Sequence, residues 1–210
     1  MPYRRPLNPP EPKILVPLFE AAIKSLVRRF RNHPYVFYTE SDMHCYLYHR
    51  MYVGGLINGL YSTVDGDDTV LLHKEYPTLS QYSRLPDGKL EESGKGRRGH
   101  FDICLWDPQF IGQREHRKQK VLFAAELALN ECRPRSLHTI NDTTKLAGPR
   151  NEIRFGYLLF FVRDDPYYER RQLEVRRNLD NAARRLRVVL AVVNGCRKPK
   201  PEYFGPWGEA

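Results

Sequence analysis

Residues 120–129 of this 210-residue chain read KVLFAAELAL, a run that is apolar except for its first residue and Glu126. Such a run is typical of a central strand that is buried on both faces of a sheet. An ionised carboxylate in a buried strand is energetically costly unless it is paired or coordinates a cation. We therefore expect the residues around Glu126 to include a charged or metal-binding partner.

A second carboxylate occupies a similar place in the preceding predicted strand. Residues 100–106 read HFDICLW, and Asp102 is the acidic residue among them. A charged turn over residues 113–119 separates the two strands, and Asp102 and Glu126 lie 24 residues apart, as suits an antiparallel pair. Paired in a sheet, the two carboxylates can bind one Mg²⁺, a hard ion that takes oxygen ligands. The structural alternative is that Asp102 pairs with Arg98 or caps a turn.

The flanking sequence predicts one α/β domain with a mixed sheet and helices on its flanks. Hydrophobic periodicity and capping residues predict helices over residues 14–30, 39–53, 136–146 and 166–185. Apolar and β-type runs predict strands over residues 69–76, 100–106, 120–129, 153–162 and 187–193. Residues 85–99 are polar and rich in Gly, which predicts a loop. The predicted domain covers residues 13–195, between a Pro-rich arm over residues 1–12 and a polar tail over residues 196–210.

The composition is compatible both with a nucleic-acid partner and with a basic protein that binds none, and it predicts an intracellular protein. The chain has 34 Lys and Arg residues against 25 Asp and Glu, a net charge of +9, and 24 of the basic residues are Arg. Arg suits planar, bidentate contact with phosphate, although many basic proteins bind no nucleic acid. No run approaches the ~20 apolar residues that a membrane span needs, and no signal-peptide core is visible. Because the four cysteines are also isolated from one another, we expect reduced thiols, no membrane association and a cytoplasmic location.

The order of these residues and elements resembles the PD-(D/E)XK, or restriction-endonuclease-like, nuclease superfamily. The resemblance covers residues 39–162, with Glu40 in an opening helix, the motif GHF-Asp102, the strand with Glu126, a helix with Asp142 and Lys145, and a further apolar strand. It implies an αβββαβ core with a mixed central sheet, to which this chain adds an N-terminal helix and a C-terminal helix and strand. It also implies hydrolysis of phosphodiester bonds with Mg²⁺ or Mn²⁺ as cofactor. The metal ligands implied by the resemblance are Asp102, Glu126, the backbone carbonyl of Leu127 and Glu40.

The sequence departs from the superfamily at Ala128, where the family has a lysine that orients the attacking water. Lys145 on the following helix can supply that ammonium, so it is the third predicted catalytic residue beside Asp102 and Glu126. Lys120 shares the strand face of Glu126 but lies six residues away from it. Alternatively, the chain has lost the chemistry and acts as a nucleic-acid-binding or assembly subunit. A Lys145 ammonium beside the two carboxylates favours the enzyme, whereas an arginine in that place favours the binding subunit.

Further residues are predicted to surround this site. Glu75 is a possible additional acidic ligand, or it pairs with Arg97 or Arg98. Nucleic acid, with DNA favoured, is expected to contact the side chains of Lys95, Arg97, Arg98 and His100. His44 has no neighbours at metal-ligand spacing in the sequence and is interpreted as a packing or solvent-facing group. A homodimer or larger assembly is compatible with the sequence, which identifies no interface.

Overall fold

The computed structural model describes residues 10–53, 57, 59–63, 67–111, 120–132 and 137–207. The α-helices of this part of the chain are α1 (Pro12–Asn32), α2 (Glu40–Val53), α3 (His138–Ala147) and α4 (Pro166–Ala183). The strands are β1 (Tyr61–Ser62), β2 (Asp68–Thr69), β3 (Leu72–Arg84), β4 (Leu90–Ser93), β5 (Arg97–Trp106), β6 (Val121–Leu129), β7 (Ile153–Arg163), β8 (Arg187–Val193) and β9 (Glu202–Phe204). Among these residues no helix is both long and apolar enough to span a membrane.

Seven strands form one mixed sheet in the order β4-β3-β5-β6-β7-β8-β9. The three consecutive strands β6, β7 and β8 are parallel, and the remaining pairs in this sheet are antiparallel. Helix α3 follows β6 and returns the chain to β7, as a parallel connection requires. The charged turn predicted between β5 and β6 lies outside the described residues. The prediction of a mixed α/β fold is therefore confirmed at this level of description.

Strand β6 lies at the centre of the sheet and separates two layers. Phe123 on one face stacks against Phe19 of α1, with 3.9 Å between the ring centroids. Successive side chains of a strand point to opposite faces, so Glu126 faces the layer that contains α3. The apolar stripe of α1, which includes Leu15, Ile23 and Phe30, is buried as the periodicity predicts. Apolar packing on the α1 side thus holds β6 in place, while its opposite face carries the carboxylate.

The segment predicted as a loop over residues 85–99 contains strand β4, which forms a hairpin with β3, and the start of β5. Strand β3 continues to Arg84 instead of ending at Tyr76, and it pairs with both β4 and β5. The sequence predicts a strand that ends at Tyr76, whereas a register shift between Pro77 and Gln81 accommodates the proline within β3. The charged residues of the hairpin are tolerated because they lie near an edge of the sheet. This correction places Arg97 and Arg98 on β5 itself.

The two ends of the chain also differ from the expected boundaries. Of the predicted Pro-rich arm, residues 1–9 lie outside the described residues, and Pro12 already belongs to α1. The segment predicted as a polar tail contains β9, in which Tyr203 pairs with Val189 of β8. A strand of three residues carries too little periodicity to be recognised from sequence. Ser136, the predicted cap of α3, lies outside the described residues.

Candidate active site at the end of the central strands

Lys145 joins two buried carboxylates on the α3 side of the sheet. Its Nζ lies 2.7 Å from Oε1 of Glu126 and 3.0 Å from Oδ1 of Asp142. The ammonium also donates a hydrogen bond of 3.3 Å to the backbone carbonyl of His100. Asp142 and Lys145 meet because residues three apart on a helix lie on one face. The lysine is therefore fixed by contacts from α3, β5 and β6.

Asp102 and Glu40 are anchored by backbone N–H groups at the end of β6. The β5–β6 ladder reaches Ile103 and Ala125, so the N–H groups of Leu127 and Leu129 lie beyond it. Leu127 donates a 2.7 Å hydrogen bond to Oδ2 of Asp102, and Leu129 donates a 3.0 Å bond to Oε1 of Glu40. These bonds orient both carboxylates around the same end of the strand.

His44 lies one helical turn after Glu40 on α2, and its ring is buried against the acidic groups. Its Nε2 is 3.3 Å from Oδ2 of Asp102, and its Nδ1 is 4.0 Å from Oε1 of Glu75. Only 5% of the side chain is exposed, yet neither nitrogen makes a hydrogen bond within the described residues. Buried polar groups are normally satisfied, so two unsatisfied ring nitrogens indicate a missing partner.

Glu75 reaches this group from a strained position in β3. Its φ is 54°, a left-handed conformation that is rare for a residue other than Gly inside a strand. His44, Glu75 and Asp102 each offer one ligand atom, and these atoms lie within 4.8 Å of one another. An imidazole and two carboxylates at this spacing can hold a metal ion.

The site holds more carboxyl groups than cationic side chains. Burial, followed by repulsion from Asp142, raises the pKa of Glu126 well above its usual value. Burial likewise raises the pKa of Asp142 and of Glu40. For Lys145, burial alone would lower the pKa, but the charges of Glu126 and Asp142 raise it above its usual value. The ammonium of Lys145 is thus shared by several carboxylates, and a further cation would relieve the repulsion between them.

A basic groove opens beside these residues. It has a volume of about 550 Å³, and its cationic lining residues are Arg84, Lys95, Arg97 and Arg98. All four are exposed, and none forms an ion pair within the part of the chain that is described. A Cβ added to Gly99 on the groove wall would lie 3.1 Å from Cδ of Lys145. Gly99 therefore separates the groove from the side chain of Lys145 by a single backbone position.

The structure brings together most residues that the sequence singled out. Asp102, Glu126, Leu127, Glu40 and Lys145 lie around one end of β6, with Glu75 at the margin. The backbone carbonyl of His100 contacts Lys145, and the side chain of His100 is exposed. Lys120 lies over the ring of Phe110 instead, 4.5 Å from the centroid. Ligand and catalytic roles for these residues stay predictions.

Two residues of the site were not identified as such from the sequence. His44 was interpreted as a packing or solvent-facing group, whereas the structure places its buried ring against Asp102. Its spacing of four residues from Glu40 on a helix was the available signal, since such residues share a face. Asp142 appeared in the family comparison only as part of a helix, although its spacing of three from Lys145 pointed to a pair.

The fold and the site together define a mixed α/β protein with a lysine-containing acidic site at the end of its central strands. A scan against models of protein families, a search of curated proteins and a search of solved structures found no match.

Proposed function

We propose that this protein is a metal-dependent nuclease of the restriction-endonuclease-like fold, which hydrolyses phosphodiester bonds in nucleic acid. The observation that carries the proposal is the ammonium of Lys145, 2.7 Å from Oε1 of Glu126. It supplies the positive charge that Ala128 cannot supply. The succession of α2, β3, β5, β6, α3 and β7 supports the proposal, with β4 as an addition between the first two strands of an αβββαβ core.

The residues at the site fit a divalent cation. The unsatisfied nitrogens of His44 face two carboxylates, those of Asp102 and Glu75. Mg²⁺ prefers an all-oxygen set, whereas transition metals accept imidazole, so this set suits Mn²⁺ better than Mg²⁺. We assign His44, Glu75 and Asp102 as ligands, with Glu126, Glu40 and the Leu127 carbonyl as the other candidates. When bound, the ion would supply an activated water and neutralise charge on the phosphate.

The protein's own groups have separate tasks in this proposal. Lys145 places its ammonium beside the reacting phosphate and water, where it stabilises developing negative charge. Asp142 holds Lys145 in position through the 3.0 Å contact. The Leu127 N–H fixes the direction of the Asp102 carboxylate. The buried face of β6 limits motion of Glu126, so the geometry is set before substrate arrives.

The direct test is cleavage of end-labelled single-stranded and double-stranded DNA and RNA in Mn²⁺, in Mg²⁺ and in EDTA. We expect the wild type to cleave at least one substrate with Mn²⁺ and none with EDTA. Glu126→Gln, which keeps the side-chain shape, should lose at least about 10²-fold in rate because it removes a charge at the reacting centre. Glu91→Gln on the exposed face of β4 is the matched control and should keep full activity. Metal-independent cleavage, or no cleavage of any substrate, would contradict the proposal.

The basic groove is expected to bind the phosphate backbone. The double variant Arg97→Ala/Arg98→Ala should weaken binding in EDTA and reduce the slope of log affinity against log salt by about 0.7–0.9 for each phosphate that the groove no longer neutralises. Fluorescence anisotropy over a series of salt concentrations measures both quantities. The matched control is Arg170→Ala/Arg177→Ala on the exposed face of α4, which removes the same charge away from the groove. Equal losses in the two double variants would show that total charge, and not the groove, determines binding.

A further inference from the structure

Tyr38 is the most exposed large apolar side chain in the described chain, with 82% of its surface accessible. Its neighbours Tyr35 and Val36 are 61% and 48% exposed. Single exposed apolar residues are common on protein surfaces, but three within four residues form a patch that needs an explanation. We call Tyr35, Val36 and Tyr38 the aromatic patch.

The backbone beneath the aromatic patch is held firmly. Arg163 donates hydrogen bonds of 2.6 Å and 2.5 Å to the carbonyls of Pro34 and Phe37. The N–H of Tyr38 donates a 2.8 Å bond to Oδ2 of Asp42 in the first turn of α2. Tyr35 is fixed at its hydroxyl by Asp164. The Tyr38 ring is thus presented to solvent from a rigid support, which lowers the entropy lost when a ligand stacks on it.

The aromatic patch borders the candidate active site. Tyr38 precedes Glu40 by two residues, so their Cα atoms lie at most about 7 Å apart. The basic groove lies on the β3 and β5 side of the site, whereas Arg163 attaches the patch to the end of β7. In the sheet order, β5 and β6 with Asp102 and Glu126 lie between these two surfaces. The groove, the two carboxylates and the aromatic patch therefore follow one another in the order of the strands in the sheet.

We propose that Tyr38 stacks against an unpaired base, and that the substrate is single-stranded at the site. This inference rests on the proposed nuclease function and specifies its substrate. Bases in a duplex hide their faces against each other, whereas unpaired bases stack on exposed aromatic rings and arginine planes. The guanidinium of Arg163, 5.3 Å from the centroid of the Tyr35 ring, places a positive charge beneath the same surface.

The test measures binding without catalysis. A single-stranded oligonucleotide with one 2-aminopurine, and the duplex of the same sequence, are titrated with protein in EDTA. We expect Tyr38→Ala to weaken single-strand binding by about 5- to 100-fold and to remove the fluorescence quenching that stacking causes. Tyr38→Phe should keep both properties. Leu173→Ala, which truncates an 81% exposed side chain on α4, is the matched control and should behave as the wild type.

The remaining outcomes separate this inference from the function on which it rests. Wild-type protein that binds neither oligonucleotide would overturn the proposed function as well. If the wild-type protein cleaves nucleic acid and the Tyr38→Ala variant binds single strands as tightly as the wild type, the stacking role alone is overturned. Equal weakening of single-strand and duplex binding would also overturn it, because stacking on an unpaired base discriminates between the two. A change in self-association on analytical ultracentrifugation, without loss of binding, would instead assign the aromatic patch to contact between protein copies.

Discussion

Lys145→Met should reduce the rate of metal-dependent cleavage by at least about 10²-fold while leaving nucleic-acid binding in EDTA unchanged. The Lys145 side chain is 14% exposed, and its ammonium contacts Glu126, Asp142 and the carbonyl of His100. The expected loss is in the rate at saturating substrate, because the charge acts on the reacting phosphate. Single-turnover cleavage measured beside anisotropy in EDTA separates this effect from binding.

The same substitution should also destabilise the fold, and a second variant keeps the catalytic test interpretable. Removing Lys145 leaves the buried carboxyls of Glu126 and Asp142 without their cation, which costs about 3–5 kcal/mol of unfolding free energy. The double variant Lys145→Met/Glu126→Gln removes a charge of each sign and should recover much of that stability without recovering activity. Urea denaturation measures the free energies. If the single variant cleaves at the wild-type rate, Lys145 does not replace the lysine missing at Ala128.

The destabilisation should depend on pH with a definite sign. The pKa of Glu126 and that of Asp142 are already raised in the folded protein by burial, and loss of the ammonium raises them further. A carboxyl whose folded pKa exceeds its unfolded pKa favours folding below the unfolded value, about 4, and loses that contribution as the pH rises through the folded value. Lys145→Met should therefore be closest to the wild type in stability at low pH, and furthest from it at neutral pH.

How far the sequence predicts this site depends on whether each residue breaks a local pattern. Glu126 could be found because a carboxylate interrupts an apolar strand, and Lys145 because the family's lysine position is Ala128. His44 breaks no pattern, since a histidine is ordinary on a helix, and its role depends on the approach of β5 and β3 in three dimensions. The conformation of Glu75 is equally invisible, because its positive φ is imposed by the surrounding sheet.

The hairpin of β3 and β4, together with the start of β5, shows the corresponding limit for the fold. The central strands were predictable because burial on both faces leaves a continuous apolar run, as in β6. An edge hairpin is half exposed, and its charged residues and glycines resemble those of a loop. The position of the basic groove therefore emerged only from the pairing of Arg97 on β5 with Tyr82 on β3.

His44→Leu should abolish tight Mn²⁺ binding and, in the absence of metal, increase the stability of the protein. Leucine is similar in size but removes two buried nitrogens that make no hydrogen bond within the described residues, and each such group costs about 1–3 kcal/mol. If His44 served only in packing, its replacement would not both abolish Mn²⁺ binding and stabilise the metal-free protein. Calorimetric titration with MnCl₂ and thermal unfolding in EDTA measure the two effects without any assay of activity.

Two companion variants define the ligand set around His44. Asp102→Asn keeps an acceptor for the Leu127 N–H, so it should fold normally and lose Mn²⁺ binding because the charge of a ligand is removed. His49→Ala on the exposed face of α2 is the matched control and should bind Mn²⁺ as the wild type does. Since Mg²⁺ makes little use of imidazole, His44→Leu should weaken Mn²⁺ binding more than Mg²⁺ binding. Equal losses for both ions, or a loss in His49→Ala that matches His44→Leu, would exclude His44 as a ligand and leave the carboxylates alone to hold the ion.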